Sequence, residues 1–370
     1  MLTLACSQAA AEPKPTPAAP ANPIAGAGTP APEPTSAAAP ARAQLQFKAP
    51  VTVVSGLTAP WAFVFSPDGS IWLTERAGQV RVIRDGKLLQ QPAASFAVAG
   101  GPGAESGLLG LELKPPHAYV YYSYRAAGKA FNRVSELTIE GDRLTNERVL
   151  LEGIPGGNCC HFGGRLRLGP DGMLYIGVGD GQLPSRAAQP AGLNGRVLRL
   201  RLDGSPLETY AYGLRNPQGL AFDPAGRLWV TDHGPTGEFG FCCHDRVDLL
   251  QEGGYYGWPA VAGTLPTGQP GAPNPLPPVA ESGAAVWAPS GASFYSPASG
   301  EQPDLVFAGL RGQAVYRLHE GRIQTIFNGA GRMRDVQAGP GNCLFALTNN
   351  TDSRGSPRPD DDRLIRLCPA

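Results

Sequence analysis

The residue best suited to chemistry in this chain is His161, in the run Cys-Cys-His-Phe-Gly-Gly-Arg-Leu at positions 159–166. Apolar residues alternate on both sides of a Pro-Asp-Gly turn over positions 166–178, which predicts a β-hairpin entered from His161. An unperturbed imidazole has a pKa of about 6.5, and Gly163 and Gly164 leave room for a substrate beside it. His161 is therefore a candidate general base; the alternative is a surface histidine that precedes a hairpin.

Further polar segments lie at the ends of other predicted hairpins. Glu105 precedes the second hairpin, positions 215–219 precede the fourth, positions 232–235 close the fourth, and positions 331–336 precede the sixth. With His161, they bring together a glutamate and three arginines, namely Arg215, Arg332 and Arg334. Such a concentration of cations suits a ligand with several carboxylates or phosphates, because arginine binds these groups bidentately. For any one arginine, the alternative is a structural ion pair with Asp or Glu.

The elements that must position these residues repeat along the chain. The unit is an alternating strand, a turn centred on proline and a second strand, and further strands follow most of these hairpins. Six copies occur roughly every 50 residues, with anchors at Pro67, Pro115, Pro170, Pro224, Pro297 and Pro340.

Six units of this length with no helical period predict an all-β fold, a six-bladed β-propeller with about four strands in each blade. The runner-up is a two-sheet sandwich, which gives no reason for a sixfold period. Single blades cannot bury both faces, so we expect one catalytic domain over residues 46–370. Within it, residues 260–285 are rich in Gly and Pro and predict a surface loop that borders the functional face.

Residues 1–45 differ in composition from the rest of the chain. Residues 1–8 resemble the end of a bacterial lipoprotein signal peptide, with Cys6 as the lipidated residue and the true start upstream. A free cysteine in a tail is the alternative. The Ala- and Pro-rich residues that follow predict a disordered tether, and hence an exported protein of the periplasm or cell envelope.

The charge balance and apolar pattern limit the partners. Lys and Arg total 31, as do Asp and Glu, so no basic excess indicates nucleic acid. No apolar run of about 20 residues occurs, and we therefore expect no membrane span.

Seven cysteines leave Cys6 apart from six in the predicted domain. Pairing of positions 343–348 with 363–368 sets Cys343 opposite Cys368, which predicts a disulfide. The other four form two adjacent pairs, Cys159 with Cys160 and Cys242 with Cys243, for which loop-to-loop disulfides between the pairs are expected. Metal binding by these four thiolates, with His161 and His244 nearby, is the alternative.

Taken in order, several of these segments resemble the soluble PQQ-dependent sugar dehydrogenases, the glucose and aldose sugar dehydrogenases built on a six-bladed propeller. The resemblance spans nearly all of the chain after residue 46. It rests on positions 160–166 with their Gly-Pro-Asp-Gly hairpin, and on positions 215–219, 232–235, 253–259, 288–291 and 331–336.

The resemblance implies a function and roles for particular residues. His161 would take the hydroxyl proton at the anomeric carbon of an aldose while a hydride passes to PQQ, giving the lactone. Arg215 would polarise the quinone carbonyl, with Asn216 and Gln218 nearby. An electron acceptor is also implied, but the motifs do not identify it.

The resemblance also implies how the cofactors would be held. The backbone carbonyls of Gly234 and Pro235 would bind Ca²⁺, a hard cation that prefers oxygen ligands. Arg332 and Arg334 would grip the PQQ carboxylates, and Glu105 stands where the family has Gln or Glu. Arg311 stands where the family commonly has a lysine that faces PQQ, which keeps the charge but changes its geometry.

One departure concerns the base. Cys160 replaces an aspartate that precedes the histidine in the glucose enzymes, and a disulfide at Cys160 would leave the base without that carboxylate partner. Two alternative functions stay open: a non-catalytic propeller that binds a partner through the same face, and a Ca²⁺-dependent, lactonase-like hydrolase. The hydrolase requires side-chain carboxylates that converge on the metal.

Overall fold

Six small sheets follow one another along the chain in the computed structural model, which describes residues 45–100, 103–297 and 301–370. These sheets are the blades of a β-propeller, and the predicted fold is confirmed. The predicted lipid anchor at Cys6 and the predicted tether lie outside the described residues. No helix within the described ranges is long and apolar enough to cross a bilayer.

The first three blades come mostly from local hairpins. Strand β1 (Val51–Val54) precedes them and belongs to the last blade. Blade 1 contains β2 (Pro60–Phe65), β3 (Ile71–Glu75), β4 (Gln79–Arg84), β5 (Lys87–Leu88) and β6 (Ala94–Ser95). Blade 2 contains β7 (Leu108–Lys114), β8 (His117–Ala126), β9 (Lys129–Glu140) and β10 (Arg143–Pro155). Blade 3 contains β11 (Leu166–Leu168), β12 (Leu174–Val178), helix α1 (Pro184–Ala187), β13 (Arg196–Leu200) and β14 (Leu207–Tyr212).

The fourth blade is the least regular. It contains β15 (Pro217–Phe222), β16 (Leu228–Asp232), a 3₁₀ turn (Glu238–Gly240) and β17 (Arg246–Leu249). Strand β18 (Gly254–Tyr255) then pairs in parallel with β14 of blade 3, and β19 (Val261–Ala262) and β20 (Leu265–Pro266) form a separate hairpin. Strand β21 (Ala280–Glu281) returns to complete blade 4, so the loop predicted over residues 260–285 contains three short strands.

The last two blades close the structure. Blade 5 contains β22 (Pro289–Tyr295), β23 (Asp304–Gly309), β24 (Ala314–His319) and β25 (Arg322–Asn328). Blade 6 contains β26 (Met333–Gly339), a 3₁₀ turn (Pro340–Asn342), β27 (Cys343–Thr348) and β28 (Leu364–Leu367). Strand β1 pairs with β28, so the beginning of the described chain completes the blade formed by its end.

Local turn chemistry explains why the sequence revealed the blades. Each of the six anchor prolines lies between the first and second strand of a blade, where the chain must reverse. The predicted disulfide is also confirmed: Leu344 lies opposite Leu367 in the β27–β28 ladder, and Cys343 is bonded to Cys368.

Polar side chains link the innermost strands near the centre of the propeller. Arg165, just before β11, donates from Nη1 to Oδ2 of Asp335 in β26 over 2.9 Å, and from Nε to the carbonyl of Gln218 in β15 over 2.8 Å. The same Asp335 oxygen accepts the backbone N–H of Phe63 in β2. These contacts join four blades. The charges of Arg165 and Asp335 are paired with each other, as buried charges must be, because an unpaired buried charge is costly.

Candidate active site

Several side chains that could bind a ligand or transfer a proton line a cavity of about 390 Å³. The loop before the first strand of a blade and the loop after the second lie at the same end, because the two strands are antiparallel. These loops and the strand ends next to them bring at least one cavity residue from every blade, including Trp61, Glu105, His161, Arg215, Arg311 and Arg332.

Most of the residues predicted from the sequence meet at this cavity. His161, Glu105, Arg215, Gln218, Gly234, Arg311, Arg332 and Arg334 all line it. Asn216 and Pro235 are buried and are not part of the lining. Asn216 supports the wall instead, since its Oδ1 accepts the N–H of Gly163 over 3.0 Å.

His161 has a buried carboxylate partner that the sequence analysis did not identify. Its Nδ1 lies 2.7 Å from Oδ1 of Asp180, which is fully buried. The indole N–H of Trp258 donates to the other Asp180 oxygen over 2.8 Å. The carboxylate partner of His161 therefore lies just after β12, the second strand of the same hairpin. Cys160, the residue before the histidine, is not needed for this role.

This arrangement suits a general base. The Nδ1–Asp180 hydrogen bond fixes the imidazole tautomer and leaves Nε2 as the proton acceptor. Asp180 also accepts the backbone N–H of Gln182 over 2.8 Å, so its own position is fixed. The local backbone bends sharply here, since His161 has a φ of 61°.

Arg215 forms an ion pair that the sequence analysis missed. Its Nε donates to Oε1 of Glu238 over 3.2 Å, and its Nη2 contacts the same oxygen and the hydroxyl of Thr236. Although burial favours the neutral carboxyl, Arg215 lowers the pKa of Glu238 below its usual value. Oε1 of Glu238 also lies 3.9 Å from Nε2 of His161, so the base and this ion pair share one wall.

Two arginines from the start of β26 form the opposite wall. Arg334 donates from Nη1 to Oε1 of Gln218 over 2.8 Å, and Arg332 donates from Nη2 to Asp352 over 3.0 Å. Burial and the charges of Arg332 and Arg76 lower the pKa of Arg334 to about 9. Arg334 is thus still largely cationic at neutral pH, and the cost of its burial favours an anionic partner.

Glu105 links the two walls. Its Oε2 accepts the backbone N–H of His161 over 2.9 Å, while its Oε1 is bound by Arg354, another residue that sequence reasoning missed. Despite burial, which raises it, the pKa of Glu105 is lowered to about 2 by Arg354 and His161. Glu105 is therefore a fixed negative charge at neutral pH.

The Gly234 loop offers free backbone oxygens. The N–H of Gly234 donates to Oδ1 of Asp245 over 2.9 Å, and Oδ2 of Asp245 accepts the N–H groups of Trp287 and Ala288. A side chain at position 234 would collide with the Cys243 carbonyl, so glycine is required. Within the described residues, neither the Gly234 nor the Pro235 carbonyl accepts a protein hydrogen bond.

Those two carbonyls match the ligands that Ca²⁺ prefers. The described residues contain no group of three or more His, Cys, Asp or Glu side chains arranged around a metal. Two carbonyls fit a hard cation only when a bound ligand supplies further oxygens.

Three buried nitrogens at or behind the cavity have no hydrogen-bond partner among the described residues: Asn216 Nδ2, His233 Nε2 and Arg332 Nε. Burial, reinforced by the nearby Arg215 and Arg334 charges, lowers the pKa of His233 to about 3, so this ring is neutral at physiological pH. Unpaired buried polar atoms are costly, and a ligand rich in acceptor oxygens would satisfy donors of this kind.

The predicted loop-to-loop disulfides are wrong. Cys159 is bonded to Cys160 and Cys242 to Cys243, so each adjacent pair closes on itself. Cys160 and Cys243 line the cavity, and the four sulfurs carry no free thiolate for a metal. A disulfide between loops depends on how the blades bring those loops together, which the sequence does not reveal.

This chain is similar to sugar dehydrogenases along most of its length. Aldose sugar dehydrogenase YliI of Escherichia coli (strain K12) is 30% identical over 340 residues, covering 80% of this chain and 88% of that protein. A solved structure from Thermus thermophilus, described as a glucose dehydrogenase, is 38% identical with a TM-score of 0.77, covering 87% of this chain and 100% of that one.

A second solved structure is the PQQ-bound form of aldose sugar dehydrogenase from Streptomyces coelicolor. It is 29% identical with a TM-score of 0.75, and the match covers 88% of this chain and 98% of that one. The family model for glucose/sorbosone dehydrogenases matches residues 57–356. The chain therefore belongs to the glucose/sorbosone dehydrogenase family.

Proposed function

We propose that this protein oxidises an aldose at its anomeric carbon to the lactone, with PQQ and Ca²⁺ as cofactors. The observation that carries the proposal is the shared cavity, in which a histidine oriented by a buried carboxylate faces a cluster of arginines. Family membership and the PQQ-bound relative from Streptomyces coelicolor support the same reaction.

The residues present fit PQQ, which is a tricarboxylate. Arg311, Arg332 and Arg334 would bind its carboxylates, and the unpartnered Arg332 Nε is a donor that lacks an acceptor among the described residues. The Gly234 and Pro235 carbonyls would bind Ca²⁺ together with oxygens of the cofactor. When bound, PQQ supplies the acceptor for two electrons.

His161 would act at the sugar. Its Nε2 would accept the proton of the anomeric hydroxyl as the hydride leaves the same carbon, and Asp180 would stabilise the imidazolium that forms. Arg215 would place a positive charge where negative charge develops, and Glu238 fixes the position of its guanidinium.

Reconstitution tests the proposal. The apoprotein is titrated with PQQ in the presence of Ca²⁺, followed by the absorbance of the cofactor, and the loaded protein is assayed with a panel of aldoses and an artificial acceptor. We expect stoichiometric PQQ binding and dye reduction that requires both cofactors. PQQ binding without oxidation of any aldose would contradict the proposed reaction, and failure to bind PQQ would favour a propeller that binds a partner.

A further inference from the structure

Trp258 belongs to a stretch of chain that leaves blade 4 between β17 and β21. It lies between β18, which pairs in parallel with β14 of blade 3, and the separate hairpin of β19 and β20. Its backbone N–H donates over 2.9 Å to the carbonyl of Gly213, just after β14, and only 4% of the residue is exposed. The excursion from blade 4 therefore places a buried tryptophan against blade 3.

The indole N–H of Trp258 completes the hydrogen bonds of Asp180. It donates to Oδ2 over 2.8 Å, whereas Oδ1 lies 2.7 Å from Nδ1 of His161 and also accepts the backbone N–H of Gln182. Among the described residues, Oδ2 of Asp180 accepts no other hydrogen bond. Because Asp180 is fully buried, loss of the indole N–H would leave a carboxylate oxygen unpaired, which is costly. The N–H thus fixes the plane of the carboxylate that orients His161.

The ring of Trp258 contacts a second part of the site, the ion pair of Arg215 and Glu238. The guanidinium carbon of Arg215 lies 5.6 Å from the indole centroid, within the range of a cation–π contact. Phe239, the residue after Glu238, packs on the indole with 5.6 Å between ring centroids. Trp258 does not line the cavity, so any effect on a ligand passes through these neighbours.

We propose that Trp258 is a positioning residue for sugar oxidation, which holds the pair of His161 and Asp180 in place relative to Arg215. Its role in turnover rests on the proposed function, in which His161 accepts the proton of the anomeric hydroxyl. The indole N–H would hold Asp180 so that Nδ1 of His161 keeps its proton and Nε2 stays free to accept one. The ring would limit the movement of the Arg215 guanidinium. The irregular path of blade 4 thereby serves the site of blade 3.

Two variants and a matched control separate the hydrogen bond from the packing of the ring. Trp258→Phe removes the N–H and keeps an aromatic ring beside Arg215. A second variant carries benzothienylalanine at position 258, which replaces the N–H with sulfur in a side chain of the same shape. The control is Trp229→Phe, because the indole N–H of Trp229 also donates to a buried carboxylate, that of Asp223, over 3.1 Å, but neither residue lines the cavity.

The tautomer of His161 tests positioning without turnover. The ring nitrogens of ¹⁵N-labelled histidine are followed by NMR in the full chain without added cofactor, above neutral pH, with His161→Gln to assign the signals. We expect the proton on Nδ1 in the wild type and in Trp229→Phe. In both variants at position 258, the two nitrogen shifts should move toward each other as the tautomers mix. Unchanged shifts in these variants, or mixed tautomers already in the wild type, would overturn the proposal.

Single-turnover kinetics of protein loaded with PQQ and Ca²⁺ tests the role in sugar oxidation. Trp258→Phe should lower the saturated rate of cofactor reduction about 10-fold, with the half-saturating aldose concentration and PQQ affinity unchanged, because the base is disturbed and the ligand contacts are not. Trp229→Phe should match the wild type.

A double-mutant cycle shows whether the effect of Trp258 passes through Asp180. In an Asp180→Asn background, Trp258→Phe should cost no more than about 3-fold, since the charge that the N–H holds is already gone. An equal loss in both backgrounds, or a loss in Trp229→Phe as large as in Trp258→Phe, would overturn the proposal. If the wild type oxidises no aldose, the proposed function fails, and the NMR measurement still decides whether Trp258 positions His161.

Discussion

Two walls of the cavity use charge in opposite ways. On the first, which we call the proton wall, His161 is paired with Asp180 and Arg215 with Glu238. The second, the anion wall, contains Arg311, Arg332, Arg334 and Arg354, whose ion pairs among the described residues are those of Arg332 with Asp352 and of Arg354 with Glu105. The proton wall is neutralised within the protein, whereas the anion wall is left with positive charge.

The difference follows from what each wall would have to do. A base works when its orientation is fixed and the charge that it gains has a counter-charge ready, which the buried Asp180 provides. A wall that grips carboxylates gains most when its cations are not already paired. A substitution that removes one element of this contrast should therefore affect turnover on the proton wall and ligand affinity on the anion wall.

Loss of the base should have the largest effect. We expect His161→Gln to lower kcat by about 10²- to 10⁴-fold, because the proton of the anomeric hydroxyl then has no positioned acceptor. His319→Gln is a matched control, since His319 Nδ1 also lies 2.7 Å from a carboxylate, that of Asp304, but outside the cavity. Turnover of aldose that survives in His161→Gln would reject the assignment.

Loss of the charge behind the base should cost less. Asp180→Asn keeps the shape of the side chain but removes the counter-charge for the imidazolium, so we expect kcat to fall by about 10²-fold and its pH profile to shift. PQQ affinity should not change. Asp85→Asn, at an exposed turn, is the control. An unchanged pH profile in Asp180→Asn would indicate a purely structural role.

A change on the anion wall should act on cofactor affinity. Arg332→Gln removes a charged donor whose Nε lacks a partner, and we expect PQQ to bind about 10- to 50-fold more weakly. Absorbance titration of the apoprotein measures this change. Undiminished affinity would mean that the anion wall does not hold the cofactor.

The smallest effect concerns pH and stability. The pKa of His233 is about 3 in the folded protein and about 6.5 in an unfolded chain, so between these values only the unfolded chain binds the proton. The free energy of unfolding therefore falls as pH falls from 6.5 toward 3. His233→Gln removes this loss of stability, because glutamine does not bind a proton. The Tm of the variant should therefore drop by a few degrees less than that of the wild type between pH 7 and pH 4. Parallel Tm curves would contradict the pKa shift.

Much of the fold could be predicted because its signals are local. The anchor prolines, from Pro67 to Pro340, mark the first reversal of every blade, and turn chemistry does not depend on distant contacts. The disulfide between Cys343 and Cys368 was predictable for a similar reason, since the register of one hairpin determines it.

The site was predicted less completely, and the omissions have a common position. Asp180, Glu238 and Arg354 each lie in a loop after the second strand of a blade, whereas most predicted residues precede a first strand or lie within one. Both loops meet at one end of the antiparallel pair, so either loop can contribute residues to the site. A signal for Asp180 was present: it follows β12 much as Asp232 ends β16, in the adjacent blade.

The central claim is that the two walls have separate tasks, and stopped-flow measurement of a single turnover tests it most directly. Wild type, His161→Gln, Arg332→Gln and the double variant are loaded with saturating PQQ and Ca²⁺ and mixed with an aldose substrate of the wild type. We predict that His161→Gln slows cofactor reduction without changing PQQ affinity, that Arg332→Gln weakens affinity but keeps the saturated rate, and that the double variant combines both effects additively in free energy. A saturated rate that falls as far in Arg332→Gln as in His161→Gln would contradict the account.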